Sequence, residues 1–141
     1  MRKRTLESSR VDAPQLRCAW ALFKACVAVR DGWPRPLRLV ALPVVAGIYR
    51  FVSLSLVGMD IPSSTRLSTS ARIYHGVGLV VHAEAVIEAG VVLRHNTTIG
   101  KSSPDLGAPV IRRDSQIGPN SVILGPIEIG RTPLLVPGRS W

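Results

Sequence analysis

The chain has 141 residues, of which 46% are hydrophobic and 19% charged, so its composition is that of a globular protein rather than a disordered one. The net charge of +9 is uneven, since residues 1–50 hold ten Lys and Arg against three acids and the remainder holds eight against six. No nucleic-acid-binding motif accompanies this charge and aromatic residues make up only 5%, which argues against nucleic acid as a partner.

The first predicted element is a helix that follows a basic tail over residues 1–12. Asp12 and Gln15 fit a capping box, and Pro14 suits the first helical turn. An apolar stripe at spacings of four, three and four predicts a helix packed on a core and ending at residues 31–32 (DG). The stripe consists of Leu16, Trp20, Phe23 and Val27.

The two cysteines lie in this helix. Cys18 and Cys26 are eight residues apart, which places them about 12 Å apart along the axis and too far for a disulfide. We expect two reduced core thiols in a cytoplasmic protein. The charged N-terminal residues lack the apolar segment of a signal peptide, which agrees with that expectation.

A second helix is predicted from near Leu37 toward Gly58, with Pro43 kinking or dividing it. Arg50 interrupts its apolar sequence, whereas a membrane span needs roughly 20 uninterrupted apolar residues. The pattern therefore favours a buried or membrane-surface helix over a transmembrane one. The basic N-terminal segment leaves peripheral contact with an anionic membrane open.

From Ile61 the hydrophobic period changes to six. Nine of the eleven leading positions are Ile, Leu or Val, and seven of the fifth positions are small or β-branched. The leading residues are Ile61, Leu67, Ile73, Leu79, Ala85, Val91 and Thr97 and, after an interruption over residues 102–109, Ile111, Ile117, Ile123 and Ile129. These seven fifth positions are Thr65, Ala71, Val77, Ala83, Ala89, Ser115 and Ser121.

A period of six predicts a parallel β-helix, in which three hexapeptides form one triangular coil and the leading aliphatic residue points inward. Residues 59–130 are the predicted β-helix domain, residues 1–58 a basic tail with a helical segment, and residues 131–141 an irregular tail that breaks the repeat. In this frame His82 takes a fourth position, facing outward, and His95 a fifth position, where a small residue is expected.

The order of three motifs resembles the serine acetyltransferase branch of the hexapeptide-repeat acyltransferases. These are residues 58–62 (GMDIP), 72–78 (RIYHGVG) and 123–130 (ILGPIEIG). Residues 93–100 (LRHNTTIG) and 43–50 (PVVAGIYR) are most similar to the colanic acid biosynthesis acetyltransferases. The resemblance covers about residues 35–130 and implies a left-handed coil, acetyl-CoA as co-substrate, no metal, and a homotrimer with active sites between neighbouring prisms.

The resemblance also implies the site residues. His75 would be the general base that deprotonates the acceptor hydroxyl, and Asp60 the carboxylate that orients its ring. The alternative for His75 is a solvated polar residue on a coil face. Substrate or acetyl-CoA contacts would come from Tyr74, Gly76, Gly78, His95, Gly100, Lys101 and Ala108. The three glycines would let the substrate or the pantetheine arm approach the backbone.

Two departures from the family pattern bear on the acceptor. Serine acetyltransferases usually have Asp where this chain has Tyr74, and an Arg-His pair where it has Gly107 and Ala108. We therefore expect a sugar of an exopolysaccharide precursor as acceptor, with serine as the alternative. The repeat stops after Gly130, so a truncated gene product is expected, and a non-catalytic β-helix that assembles with intact homologues is the rival interpretation.

Overall fold

The computed structural model describes residues 14–130, in which an antiparallel helical hairpin precedes a parallel β-helix. The predicted Asp12 cap and the two predicted tails, residues 1–12 and 131–141, lie outside the described residues. The helical part ends at Gly58, and the first β-bridge of the coils is at Asp60.

Helix α1 spans Pro14–Gly32, close to the predicted bounds. Leu16, Ala19, Phe23 and Cys26 are buried on its inner face, while Trp20 is half-buried and stacks on Phe23 with ring centroids 5.3 Å apart. Burial raises the pKa of the Cys26 thiol. Cys18 is exposed, so the expectation of two core thiols was wrong for it, because residue 18 points away from the buried face.

Helix α2 spans Arg35–Val52 and continues as a π-helical turn over Ser53–Val57. Pro43 lies inside α2 without dividing it, contrary to one of the two outcomes expected there. Gly58 then adopts a left-handed conformation with φ of 71° and ends the helix, as glycine commonly does. By length and hydropathy the segment Arg35–Val57 is the one helix within residues 14–130 that is long and apolar enough to cross a membrane.

The hairpin is fixed to the first coil through Tyr49 and Ser53. The Tyr49 ring packs edge-on against Phe23, and its buried hydroxyl donates a hydrogen bond of 2.7 Å to the carbonyl of Ile61. The Ser53 hydroxyl donates to the carbonyl of Met59 at 2.8 Å. These buried bonds place α2 directly against the start of the β-helix.

Within residues 14–130, nine short strands form three parallel sheets, one for each face of the prism. One sheet has the order β1-β4-β7-β9, the second pairs β2 with β5, and the third has the order β3-β6-β8. Their bounds are Arg66–Leu67, Arg72–Tyr74, Val80–Val81, Val86–Ile87, Val92–Arg94, Thr98–Gly100, Val110–Ile111, Val122–Leu124 and Glu128–Ile129, numbered β1 to β9 in that order. The predicted parallel β-helix is therefore present.

The register shows that the inward frame shifts by two residues after Ile73. Ile73 pairs with Leu93 and Val81 with Ile99, so the inward residue that follows Ile73 is Val81, eight positions later rather than six. The predicted leading positions from Leu79 to Thr97 were therefore wrong. The inward columns contain Val81, Ile87, Leu93 and Ile99 instead, all at most 1% exposed.

The two extra residues lie in the turn that contains His75. Residues that pair between successive coils are 20 positions apart when this turn lies between them, as for Arg72 and Val92. They are 18 positions apart where no extra residues intervene, as for Val80 and Thr98. His75 and Gly78 both have positive φ, 53° and 69°, which tightens the turn. The shift also makes Ala85 and Thr97 fifth positions, where small residues fit the corner.

The interruption over residues 102–109 is an excursion between β6 and β7. It lengthens the coil offset to 24 residues, as between Val86 and Val110, and the 18-residue offset returns between Val110 and Glu128. Beyond the excursion, the predicted inward positions Ile111, Ile117 and Ile123 are all buried.

Candidate functional site

His75 is exposed at the end of β2, on the turn that breaks the hexapeptide repeat. Its backbone is left-handed, with φ of 53°, a region that histidine tolerates better than most residues. Such backbone outliers are concentrated at functional sites, because the surrounding structure must hold them in place. An exposed imidazole on a fixed turn can accept a proton from a bound hydroxyl.

The ring of His75 meets that of His95, which lies at the equivalent position one coil later. The two rings meet edge to face, with centroids 6.2 Å apart and planes at 77°. His95 is half-buried and takes the third position of the hexapeptide led by Leu93. Its predicted fifth position was wrong because of the two-residue shift, and Thr97 fills that corner instead.

Tyr74 and Arg94 form a second pair beside the histidines. They are register partners on β2 and β5, and the Arg94 guanidinium lies 5.8 Å from the centroid of the half-buried Tyr74 ring. The site at this corner thus presents two imidazoles, a phenol and one cation. Arg94 was not among the predicted site residues, although aligning residues 73–75 (IYH) with 93–95 (LRH) in the correct frame would have found it.

Asp60 does not contact His75. Its carboxylate accepts a hydrogen bond from Arg50 of α2, and within residues 14–130 no hydrogen bond joins it to the imidazole. Its backbone bridges to Val80 in the next coil. Within residues 14–130 the Asp60 carboxylate thus pairs with the guanidinium on the neighbouring helix rather than with His75, and its predicted orienting role stays a prediction.

The glycines predicted to leave room for substrate are mostly packed by the protein itself. A Cβ atom on Gly76 would lie 3.0 Å from Leu16 and 3.3 Å from Met59, and one on Gly78 would lie 2.2 Å from the side-chain oxygen of Asn96. Of the three predicted glycines, Gly100 has ordinary clearance, with its Cβ position 3.6 Å from Leu124. The packing at Gly76 and Gly78 gives a structural reason for these two glycines, and their substrate contacts stay a prediction.

Lys101 directly precedes the excursion, and Ala108 lies within it. The Lys101 ammonium binds Glu84 at 2.7 Å, which lowers the pKa of that carboxyl group. Ala108 packs against the hydrophobic core, and its predicted substrate contact stays a prediction. An open pocket of about 460 Å³ adjoins Lys101 and is lined by His82, Lys101, Ser102, Ser103 and Pro104.

His82 was predicted to face outward at the fourth position of a hexapeptide. The frame shift makes it the second residue of the hexapeptide that Val81 leads. It is half-buried, and its Nδ1 accepts a hydrogen bond of 3.2 Å from the backbone N–H of Glu84. Among residues 14–130 no group of three or more His, Cys, Asp or Glu side chains converges on a point where a metal ion could bind.

Comparison with known proteins identifies similar sequences. No family model matches the chain. The serine acetyltransferase of Salmonella typhimurium is 35% identical over 114 residues, covering 77% of this chain and 40% of the relative. Serine acetyltransferase 2 of Arabidopsis thaliana is 30% identical over 108 residues, covering 75% of this chain and 32% of the relative. The chain thus spans about a third of the length of the curated relatives it matches.

Solved structures show the same fold. Soybean serine acetyltransferase apoenzyme matches with a TM-score of 0.57 and 26% identity, covering 82% of this chain and 45% of that one. Serine acetyltransferase of Brucella abortus in complex with coenzyme A matches with a TM-score of 0.54 and 23% identity, covering 82% of this chain and 56% of that one. This likeness confirms the predicted left-handed β-helix with an N-terminal helical segment.

Proposed function

We propose that the chain is an acetyl-CoA-dependent O-acetyltransferase with His75 as its general base. The observation that carries the proposal is the combination of a β-helix similar to serine acetyltransferases with an exposed histidine on the turn where the repeat breaks. Histidine is the side chain most often used to transfer protons to and from a substrate oxygen.

In the proposed reaction the acceptor oxygen attacks the thioester carbon of acetyl-CoA while His75 removes the hydroxyl proton. The C–S bond then breaks, the acetyl group stays on the acceptor oxygen, and the CoA thiolate takes the proton back from the imidazolium. Direct transfer is favoured because no cysteine or serine in the described part of the chain has an adjacent base that would activate it as a nucleophile.

His95 and Arg94 would assist at the same corner. The edge-on ring of His95 limits how the His75 imidazole can rotate, while Asp60 pairs with Arg50 in this fold. The Arg94 guanidinium supplies a fixed positive charge for an anionic group of either substrate. Asp60 would enter the site only if Arg50 released it.

Serine is the acceptor that the comparisons favour, since the similar sequences are serine acetyltransferases. One of the similar structures, serine acetyltransferase isoform 3 of Entamoeba histolytica, contains bound cysteine, an amino acid close to serine in shape. The sugar acceptor expected from the sequence has no such support. The similarity to colanic acid enzymes and the cytoplasmic location remain predictions.

The acceptor is tested by release of CoA from acetyl-CoA, measured with a thiol reagent for serine, monosaccharides and oligosaccharides. Release with serine supports the full proposal. Release with a sugar alone would keep the transferase and overturn the acceptor. A folded chain that shows no binding of acetyl-CoA by calorimetry would overturn the activity itself and favour the non-catalytic interpretation.

We also propose a homotrimer. The sheet β3-β6-β8 leaves apolar residues exposed on its outer face, with Val80 at 42%, Val122 at 67% and Leu124 at 43%. Packing of this face against a neighbouring prism would remove these side chains from water. Sedimentation velocity at micromolar concentration should give the mass of a trimer, and a stable monomer would contradict the proposal.

A further inference from the structure

Helix α2 is apolar on two opposite sides. Its inner side packs on the core through Leu42, Val45 and the buried Tyr49. Its outer side carries five exposed apolar residues at spacings of three, four, four and three, here called the outer stripe. The stripe consists of Leu37 (56% exposed), Val40 (73%), Val44 (59%), Ile48 (50%) and Phe51 (67%).

The outer stripe is too large to be an ordinary feature of a water-exposed surface. It extends over fourteen residue steps of α2, or about 21 Å at the rise of an α-helix. A helix that is apolar all round normally lies in a protein core or in lipid. Yet only 17% of the most apolar part of this helix is buried within residues 14–130.

The positive charge of the hairpin that carries the outer stripe favours an anionic partner. Residues 14–52 contain six Lys and Arg but a single acid, Asp31, which Arg30 already binds at 2.8 Å. Two copies of this hairpin packed stripe to stripe would bring like charges together, which costs energy. An anionic surface would instead be attracted by the excess of cations over acids.

Two further features fit a lipid surface. Trp33 is 48% exposed where α2 begins, and tryptophan is enriched at the boundary between membrane and water. An open groove of about 330 Å³ beside α2 is lined by Leu39, Leu42 and Pro43 together with Arg38. A lining that combines apolar side chains with a guanidinium suits a phospholipid, which combines an acyl chain with a phosphate group.

The geometry of the inner side excludes a spanning orientation for α2 in this fold. Tyr49 is bonded to the first coil, and Arg50 is bonded to Asp60 there, so that side of the helix stays on the protein. We propose that α2 lies flat on an anionic phospholipid surface, with the outer stripe among the acyl chains and the basic side chains of the hairpin at the phosphates.

The test is co-sedimentation of the 141-residue chain with vesicles. Vesicles of phosphatidylcholine and phosphatidylglycerol in equal parts should bind the chain at least about tenfold more tightly than vesicles of phosphatidylcholine alone. Added salt should weaken the binding, because it screens the contacts between cations and phosphates.

Phe51→Glu should reduce binding to the anionic vesicles by about tenfold or more, since it places a charge in the apolar stripe. Leu106→Glu is the matched control, because Leu106 is also exposed, at 46%, but lies in the excursion of the β-helix. Both changes are at exposed side chains, so circular dichroism should show the wild-type fold for each.

Three results would overturn the proposal. The first is equal binding of the two variants. The second is no vesicle binding together with self-association that Phe51→Glu abolishes, which would show that two copies pair through the stripe. The third is resistance of bound chain to extraction at alkaline pH, which would show that the helix spans the bilayer. None of these outcomes depends on the transferase activity.

Discussion

Ala85→Ile separates the two frames of the repeat, because they predict opposite signs for its effect on stability. In an unbroken period of six, Ala85 is a leading position that lacks its usual aliphatic side chain. Adding three carbons there would fill an inward site and stabilise the fold by roughly 2 kcal/mol at about 0.8 kcal/mol for each buried carbon. In the observed register Ala85 is instead a corner position, fully buried with 0% exposure, in the coil led by Val81.

The structure therefore predicts that Ala85→Ile destabilises the protein. Overfilling a packed site costs typically 1–3 kcal/mol, since neighbouring side chains must leave their preferred rotamers. With a urea m-value of about 2 kcal/mol per M, a loss of 2 kcal/mol lowers the unfolding midpoint by about 1 M. Val86→Ile, at the adjacent half-buried position on β4, should change the midpoint little.

The assay is urea unfolding followed by circular dichroism at several protein concentrations, since any self-association adds to the apparent stability. A midpoint raised by Ala85→Ile would refute the shifted frame.

Three further predictions concern stability. Gly78→Ala should lower the free energy of thermal unfolding by more than about 1 kcal/mol, because φ is 69° and the new Cβ would lie 2.2 Å from the side-chain oxygen of Asn96. Gly47→Ala inside α2 is the control and should raise it by about 0.5–1 kcal/mol. Thr65→Val should be neutral or stabilising in urea, because the buried Thr65 hydroxyl has no hydrogen-bond partner among residues 14–130; a clear loss would contradict this. Arg112 holds the pKa of Glu128 below its usual value, so the ion pair stabilises the fold above about pH 4.3 and this contribution is lost as the pH falls further. Arg112→Gln should therefore make the free energy of unfolding less dependent on pH in this acid range. An unchanged slope of that free energy against pH would contradict the prediction.

The helices and the coil type could be predicted from local patterns. The stripe from Leu16 and the residues Pro14 and Gly32 bound α1, and the period of six identified the β-helix. The same patterns could not decide whether Pro43 divides α2 or whether Cys18 is buried, because both depend on which face of the hairpin meets the coils.

The frame of the repeat was harder to predict, because aliphatic residues stand at both candidate positions. Leu79 and Val81 are two residues apart and both buried, as are Val91 and Leu93, so hydrophobicity alone cannot decide between them. Ala85 carried the signal, since a small side chain is typical of a corner rather than of an inward column.

Contacts between distant residues could not be predicted from spacing. The fifteen residues between Asp60 and His75 do not show whether the two side chains pair. Asp60 binds Arg50 instead, because α2 places that guanidinium beside the carboxylate. The pairing of His75 with His95 follows from the shifted register and would have been found with the correct frame.

The central claim is that His75 removes the acceptor proton, and steady-state kinetics of acetyl transfer from acetyl-CoA to serine test it most directly. His75→Ala should lower kcat by roughly 10²–10⁴-fold, the usual contribution of a general base, with acetyl-CoA binding retained in calorimetry. His82→Ala, the same substitution next to Val81 on another face of the prism, should leave kcat within about twofold of the wild type. Asp60→Asn should lower kcat less than His75→Ala does, because the Asp60 carboxylate binds Arg50. An active wild type in which His75→Ala and His82→Ala have equally small effects would contradict the account.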